Sequence, residues 1–190
     1  MISLTKGQAI SLTKADGGAL QRVAMGTGWD AVKKKGFFGF GGSGEIDLDA
    51  SALVFAGDQL VDQIWFQQLA SRDGNIVHSG DNRTGDGDGD DETINVDLSR
   101  LDASITTLIF TVNSFTGQTF ASVENAYTRL VDLDSNKEIA RYSLSDLGPH
   151  TGMIMASLKR EGSGWKMTAI GERASGNTFH RMENEIRRHL

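Results

Sequence analysis

Cysteine is absent from the 190 residues, proline occurs once, at Pro149, and histidine only four times. No apolar run approaches the ~18 residues that a membrane-crossing helix needs. Without thiols the chain has no disulfide framework, no cysteine nucleophile and no thiolate metal site. Few histidines leave little material for a zinc or copper centre. Lysine and arginine are outnumbered, 19 against 25 acids, for a net charge of −6. That balance argues against nucleic-acid binding, which needs a surplus of cations on one face. The opening MISLTKGQ lacks the apolar stretch of a signal peptide. A soluble, cytoplasmic protein of one domain, residues 1–190, is the expectation, long enough to bury a core unaided.

What the chain has in excess is acid in one place. Residues 80 to 92 read GDNRTGDGDGDDE, with six carboxylates (Asp81, Asp86, Asp88, Asp90, Asp91, Glu92) among glycines and no lysine. Two carboxylates about 6 Å apart near a surface repel by roughly 3 kcal/mol at an effective dielectric of about 20. A hard divalent cation reverses that sign. Asp, Asn82, Thr84 and backbone carbonyls are oxygen donors, suited to calcium or magnesium. A mobile, over-supplied loop favours calcium, which accepts loose geometry, over magnesium, which demands a near-ideal octahedron. The bland alternative is a solvated acidic loop. Against it, alternation resumes at once in Thr93, Ile94, Asn95, Val96, Asp97 and Leu98, so the loop is pinned by a strand. An EF-hand is excluded: Asp86, Asp88 and Asp90 have its first spacings, but Asp91 stands where its turn glycine belongs and no amphipathic helix flanks it.

In IDLDAS, Asp47 and Asp49 alternate with Ile46 and Leu48, so a strand here puts both acids on one face and both aliphatics on the other. Such a strand could wall a metal site or simply be amphipathic. Asp30, after Trp29, is a further candidate ligand.

Short runs rich in Val, Ile, Phe and Thr recur between turn residues. They cover 20 to 29, 46 to 55, 60 to 67, 75 to 78, 93 to 98, 105 to 114, 126 to 133, 137 to 144, 151 to 160 and 164 to 172. The pentapeptide ISLTK occurs twice, at 2–6 and 10–14, and suggests two short edge strands. About ten strands describe an all-β sandwich or barrel, with interior ladders that keep their N–H donors because proline is nearly absent. Residues 99–104 and 119–125 suggest a helical turn or two. Phe179, Met182, Ile186 and Leu190 predict an amphipathic C-terminal helix over about 177–190, capped by Asn177 or Thr178, that docks on its own domain or on a partner.

The run KKKGFFGFGGSG at 33–44 satisfies G-x-G-x-x-G from Gly39 to Gly44, but a strand rather than a helix follows, which makes it a poor phosphate loop. It reads as a flexible connection. Alternatively Phe37, Phe38 and Phe40, beside Lys33, Lys34 and Lys35, contact a membrane surface or a partner's pocket.

SLTKG, GWD at 28–30, DLDAS at 47–51 and HSGDNRTGDGDGDDE at 78–92, followed by VDL, NAY, EIARY and SL, resemble the TerD-domain family of bacterial tellurium-resistance and stress-response proteins. WDAVKKKGFFG and IFTVNSFTGQ are most similar to its TerZ-type members. The resemblance implies a β-sandwich that binds calcium, more than one ion, and works with other Ter proteins and a TerC-type membrane protein. It implies ligands at Asp81, Asn82, Asp90, Asp91, Glu92, Asp47 and Asp49, with Asp86 and Asp88 matching only as acids. A chain without cysteine cannot reduce tellurite through thiols, so any resistance is indirect. Three functions compete: a non-catalytic calcium module, a two-metal phosphoesterase with His78 as acid or base, and a nucleotide or small-ligand domain using Arg83 or the lysine run.

Overall fold

The computed structural model describes residues 2–14, 16–31, 47–80, 89–144 and 148–190. Twelve strands follow in chain order: β1 (Ile2–Ser3), β2 (Ala9–Ser11), β3 (Arg22–Ala31), β4 (Leu48–Ala56), β5 (Gln59–Ile64), β6 (Ile76–His78), β7 (Glu92–Asp97), β8 (Thr107–Ser114), β9 (Val123–Asp132), β10 (Lys137–Ser143), β11 (Gly152–Glu161) and β12 (Gly164–Ala174). They form two six-stranded sheets, ordered β1-β10-β9-β3-β7-β6 and β2-β12-β11-β8-β4-β5. Every pairing is antiparallel except β1 with β10. The all-β sandwich expected from the sequence is therefore present.

Alternation builds the core. In β7, Glu92, Ile94 and Val96 turn inward; in β4, Leu48, Ala50, Ala52 and Val54 do. The two copies of ISLTK divide between the sheets, the first pairing with β10 and the second with β12. Their equivalent leucines, Leu4 and Leu12, both enter the shared core, so the repeat closes both layers at one edge. Strand β8 is buried at every position because its sheet is covered on both faces. Pro149 lies in the connection before β11, where it removes no ladder bond.

The outer cover of the second sheet is the chain's own tail. Leu53, Phe55, Ile109, Ile154, Ile170 and Ala174 pack against Phe179, Met182 and Ile186. The tail is less helical than its apolar spacing predicts: a 3₁₀ turn at Phe179–Arg181 leads into a short α-helix, α1 (Glu183–Arg187). Neither expected cap forms. The Asn177 side chain donates to Phe115 O at 3.1 Å, Thr178 makes no cap bond, and α1 begins after Met182. Residues 99–104 are turns, and 119–125 hold one 3₁₀ turn at Phe120–Ser122. Among the described residues no helix is long and apolar enough to cross a membrane.

Candidate metal site

The acidic segment leaves β6 at His78 and returns at Glu92, the first residue of β7. Both anchors are sealed between the sheets, with side chains 0% exposed, and both close on the same residue of the opposite sheet. Glu92 Oε2 accepts the Ala50 N–H at 2.6 Å, and His78 Nε2 lies 3.1 Å from the Ala50 carbonyl oxygen. The Gly80 N–H donates to His78 Nδ1 at 3.0 Å, which assigns the ring hydrogen to Nε2, where it donates to Ala50. His78 Nε2 also lies 3.4 Å from Glu92 Oε2. A buried residue whose backbone N–H and C=O both meet side chains of the facing sheet fixes both ends of the loop to one point.

Asp90 turns the other way, onto the outer face of the first sheet. Its Oδ1 accepts from Arg129 Nε at 2.7 Å and lies 3.1 Å from the Tyr127 hydroxyl, which donates at 2.6 Å to Gly89 O. Arg129 reaches on to Glu138 Oε2 at 3.1 Å, Arg141 grips Glu138 through two bonds, and the Arg141 guanidinium lies 4.0 Å over the Tyr127 ring. Register explains the assembly, since Gly26 is opposite Arg129 and Gly28 opposite Tyr127. A Cβ on Gly26 would collide with the Asp90 carboxylate, and one on Gly28 with the Tyr127 ring. Bare backbone at these two positions lets the network lie flat on β3. The bond to Asp90 is the main reason the Arg129 pKa is raised, and the Arg141 bond the main reason Glu138 is held below its ordinary value.

Asp91 sits between these two, half-buried at the end of the sheet. Its N–H extends the ladder to Thr27 O at 2.9 Å, and its Oδ2 accepts the Trp29 N–H at 2.8 Å. Burial pushes its carboxyl pKa up, against the lowering effect of the Trp29 bond, and the charges of Asp30, Asp90 and Glu92 push it further. Exposed Asp30, the last residue but one of β3, pairs with Glu124 just past a register shift, and Asn125, a residue with φ of +52°, donates its amide to Asp30 Oδ2 at 2.8 Å. The irregularity aims both side chains at the sheet end.

Among the described residues Asp49 is set apart from Asp30 and Asp91. Asp49 pairs with Asn113, whose side chain touches Met182 of the tail, so it occupies the outer face of the second sheet, and Asp47 lies just before β4. The expected separation of Asp49 from Leu48 is observed, with Asp49 on the face turned away from Glu92; Ile46 lies outside the described residues. Asp81, Asn82, Thr84, Asp86 and Asp88 lie outside the described residues, as do Phe37, Phe38, Phe40 and the lysine run. Among the described residues no three His, Asp or Glu side chains gather around one point. The candidate donors at the sheet end, Asp30 and Asp91, are carboxylates within electrostatic reach of each other, and His78 has both ring nitrogens engaged. The chemistry there fits a hard, oxygen-seeking cation and not zinc.

Residues 1–183 match the family model described as TerD domain. The chain belongs to the TerD-domain family. It is 50% identical to tellurium resistance protein TerZ of Serratia marcescens, over 98% of this chain and 97% of that protein. It is 41% identical to stress response protein SCP2 of Bacillus subtilis (strain 168), over 100% and 99%. A crystal structure of a homologue of telluride resistance protein (TerD) from Streptomyces coelicolor A3(2) shares the fold, with a TM-score of 0.68 and 25% identity over 83% of this chain and 92% of that one.

Within the TerD-domain frame, sequence reasoning missed Tyr127, Arg129, Glu138 and Asn125. One signal pointed at the first two: Gly26 and Gly28 alternate inside a strand with no turn to require them, the mark of something lying against bare backbone. His78 entered the sequence reading as the acid or base of a phosphoesterase; the structure places it at the close of β6, sealed against Ala50.

Proposed function

We propose that this TerD-domain protein is a non-catalytic calcium-binding module, a sensor or scaffold for partner proteins in tellurium resistance and stress response. The observation that carries the reading is Asp91, a half-buried carboxyl at the root of the acidic segment whose pKa is raised by burial and by the neighbouring acids. Asp30 and Asp91 would hold the ion together with Asp81, Asn82, Thr84, Asp86 and Asp88. Asp90 and Glu92 have anchoring work first, to Arg129 and to Ala50. Asp49, in β4, and Asp47, just before it, would add the ligands that the family resemblance implies. Bound calcium would supply positive charge that turns the repulsion of the loop into cohesion.

The clamp supports a binding role over catalysis, since a sealed His78 with both nitrogens engaged has none left for a substrate. The family resemblance gives other Ter proteins and a TerC-type membrane protein as partners and the cytoplasm as its place of work. Thermal melting with calcium, with magnesium and with chelator tests the proposal. Calcium at a hundredfold excess over Kd stabilises by about 2.7 kcal/mol, roughly 5–10 °C for a chain of this size. Superimposable melts up to millimolar calcium would overturn it.

A further inference from the structure

The arginines on the outer face of the first sheet hold their carboxylates differently. Arg141 meets Glu138 in a fork, Nε to Oε1 at 3.0 Å and Nη2 to Oε2 at 2.8 Å. Arg129 meets Asp90 through Nε alone, at 2.7 Å, while its Nη1 already reaches Glu138 at 3.1 Å. A two-bond fork is the more strongly fixed arrangement, and a single bond the more easily exchanged. Among the described residues the hydrogen bonds to Asp90 end on Oδ1, while Oδ2 lies over Gly26. Tyr127 has one hydrogen, and its shorter contact, to Gly89 O, takes it. Among the described residues Arg129 is therefore the cation that neutralises Asp90.

We infer that Arg129 is an affinity-setting residue: a built-in counter-ion that competes with calcium for Asp90 and falls back on Glu138 when the metal arrives. The inference rests on the calcium reading above. The exchange strands no charge, because Glu138 remains beside the guanidinium, and Arg141 keeps its own fork. It also makes weak binding a built property of an acid-rich loop, since a metal entering beside Asp90 must meet or displace a resident positive charge.

Calcium titration by calorimetry on the full chain, for the wild type, Arg129→Gln and Arg129→Lys, tests it, with melting in chelator as a check on folding. Removing the charge in Arg129→Gln is expected to tighten calcium binding roughly tenfold, the order of effect one neighbouring charge has on a carboxylate. Arg129→Lys, which keeps the charge, is expected to stay within about threefold of the wild type. If Arg129 only holds Asp90 in place, both variants bind more weakly, and the inference falls. Unchanged affinity in Arg129→Gln, with the wild type binding, overturns the inference and leaves the calcium reading standing. A wild type that takes up no calcium overturns both. If Arg129→Gln melts too low to titrate, Glu138→Gln decides: with its fallback removed, Arg129 holds Asp90 harder and calcium binds more weakly, and equal or tighter binding overturns the inference.

Discussion

The two outer faces of the sandwich are covered in opposite ways. Over the second sheet, Phe179, Met182 and Ile186 lie on Leu53, Phe55, Ile109 and Ile154, apolar on apolar. Over the first, Asp90, Arg129, Glu138, Arg141 and Tyr127 form a mesh of charges on two glycines. An apolar cover is held mainly by burial and responds little to charge screening or metal; an ionic one in partial contact with water answers to salt, metal and pH. The contrast assigns structural permanence to one face and responsiveness to the other.

Truncating the apolar cover sharpens that contrast most. Phe179→Ala is expected to lose about 3–5 kcal/mol of stability by denaturant unfolding, with calcium affinity unchanged. A matching loss of affinity would show that the two faces are not independent. Next comes the clamp, which belongs to neither cover. Glu92→Ala leaves the buried Ala50 N–H without its acceptor and is expected to cost about 1–3 kcal/mol, with a smaller loss in Glu92→Gln, which keeps an accepting oxygen. Equal losses in both would mean that charge, not the hydrogen bond, is what Ala50 needs.

Gly26→Ala probes the ionic face directly. The new methyl displaces the Asp90 carboxylate and is expected to cost about 1–3 kcal/mol, together with a measurable change in calcium affinity. The smallest effect concerns pH. Arg141 first, then Arg129, hold the Glu138 pKa below 4.5, so its contribution is present above that value and is lost as pH falls through the folded-state pKa. Stability measured from pH 6 downward should fall less steeply in Glu138→Gln than in the wild type, by about 0.2–1 kcal/mol in all, and added salt should shrink the difference. Parallel curves would remove the ionic mesh from the energetic picture.

Much of this architecture was legible in the sequence because alternation is a local property. β4, β7, β8 and β11 lie within a residue or two of their expected spans. The tail's apolar spacing was readable too, but its length was not, since Asn177 bonds Phe115 instead of capping. For the candidate site, the acid-rich loop and its pinning by β7 could be seen. The division of labour among Asp90, Asp91 and Glu92 could not, because it depends on which sheet each side chain meets. Arg129 is one arginine in an alternating strand, and nothing local distinguishes it from a solvated residue until β3 and β9 are placed in register.

The fastening of His78 and Glu92 to Ala50 makes one backbone amide a gauge of the whole sandwich. Its hydrogen is shielded only while the layers stay together and the loop's two feet stay planted, so its deuterium uptake would time the rarest opening of the molecule rather than any local fraying.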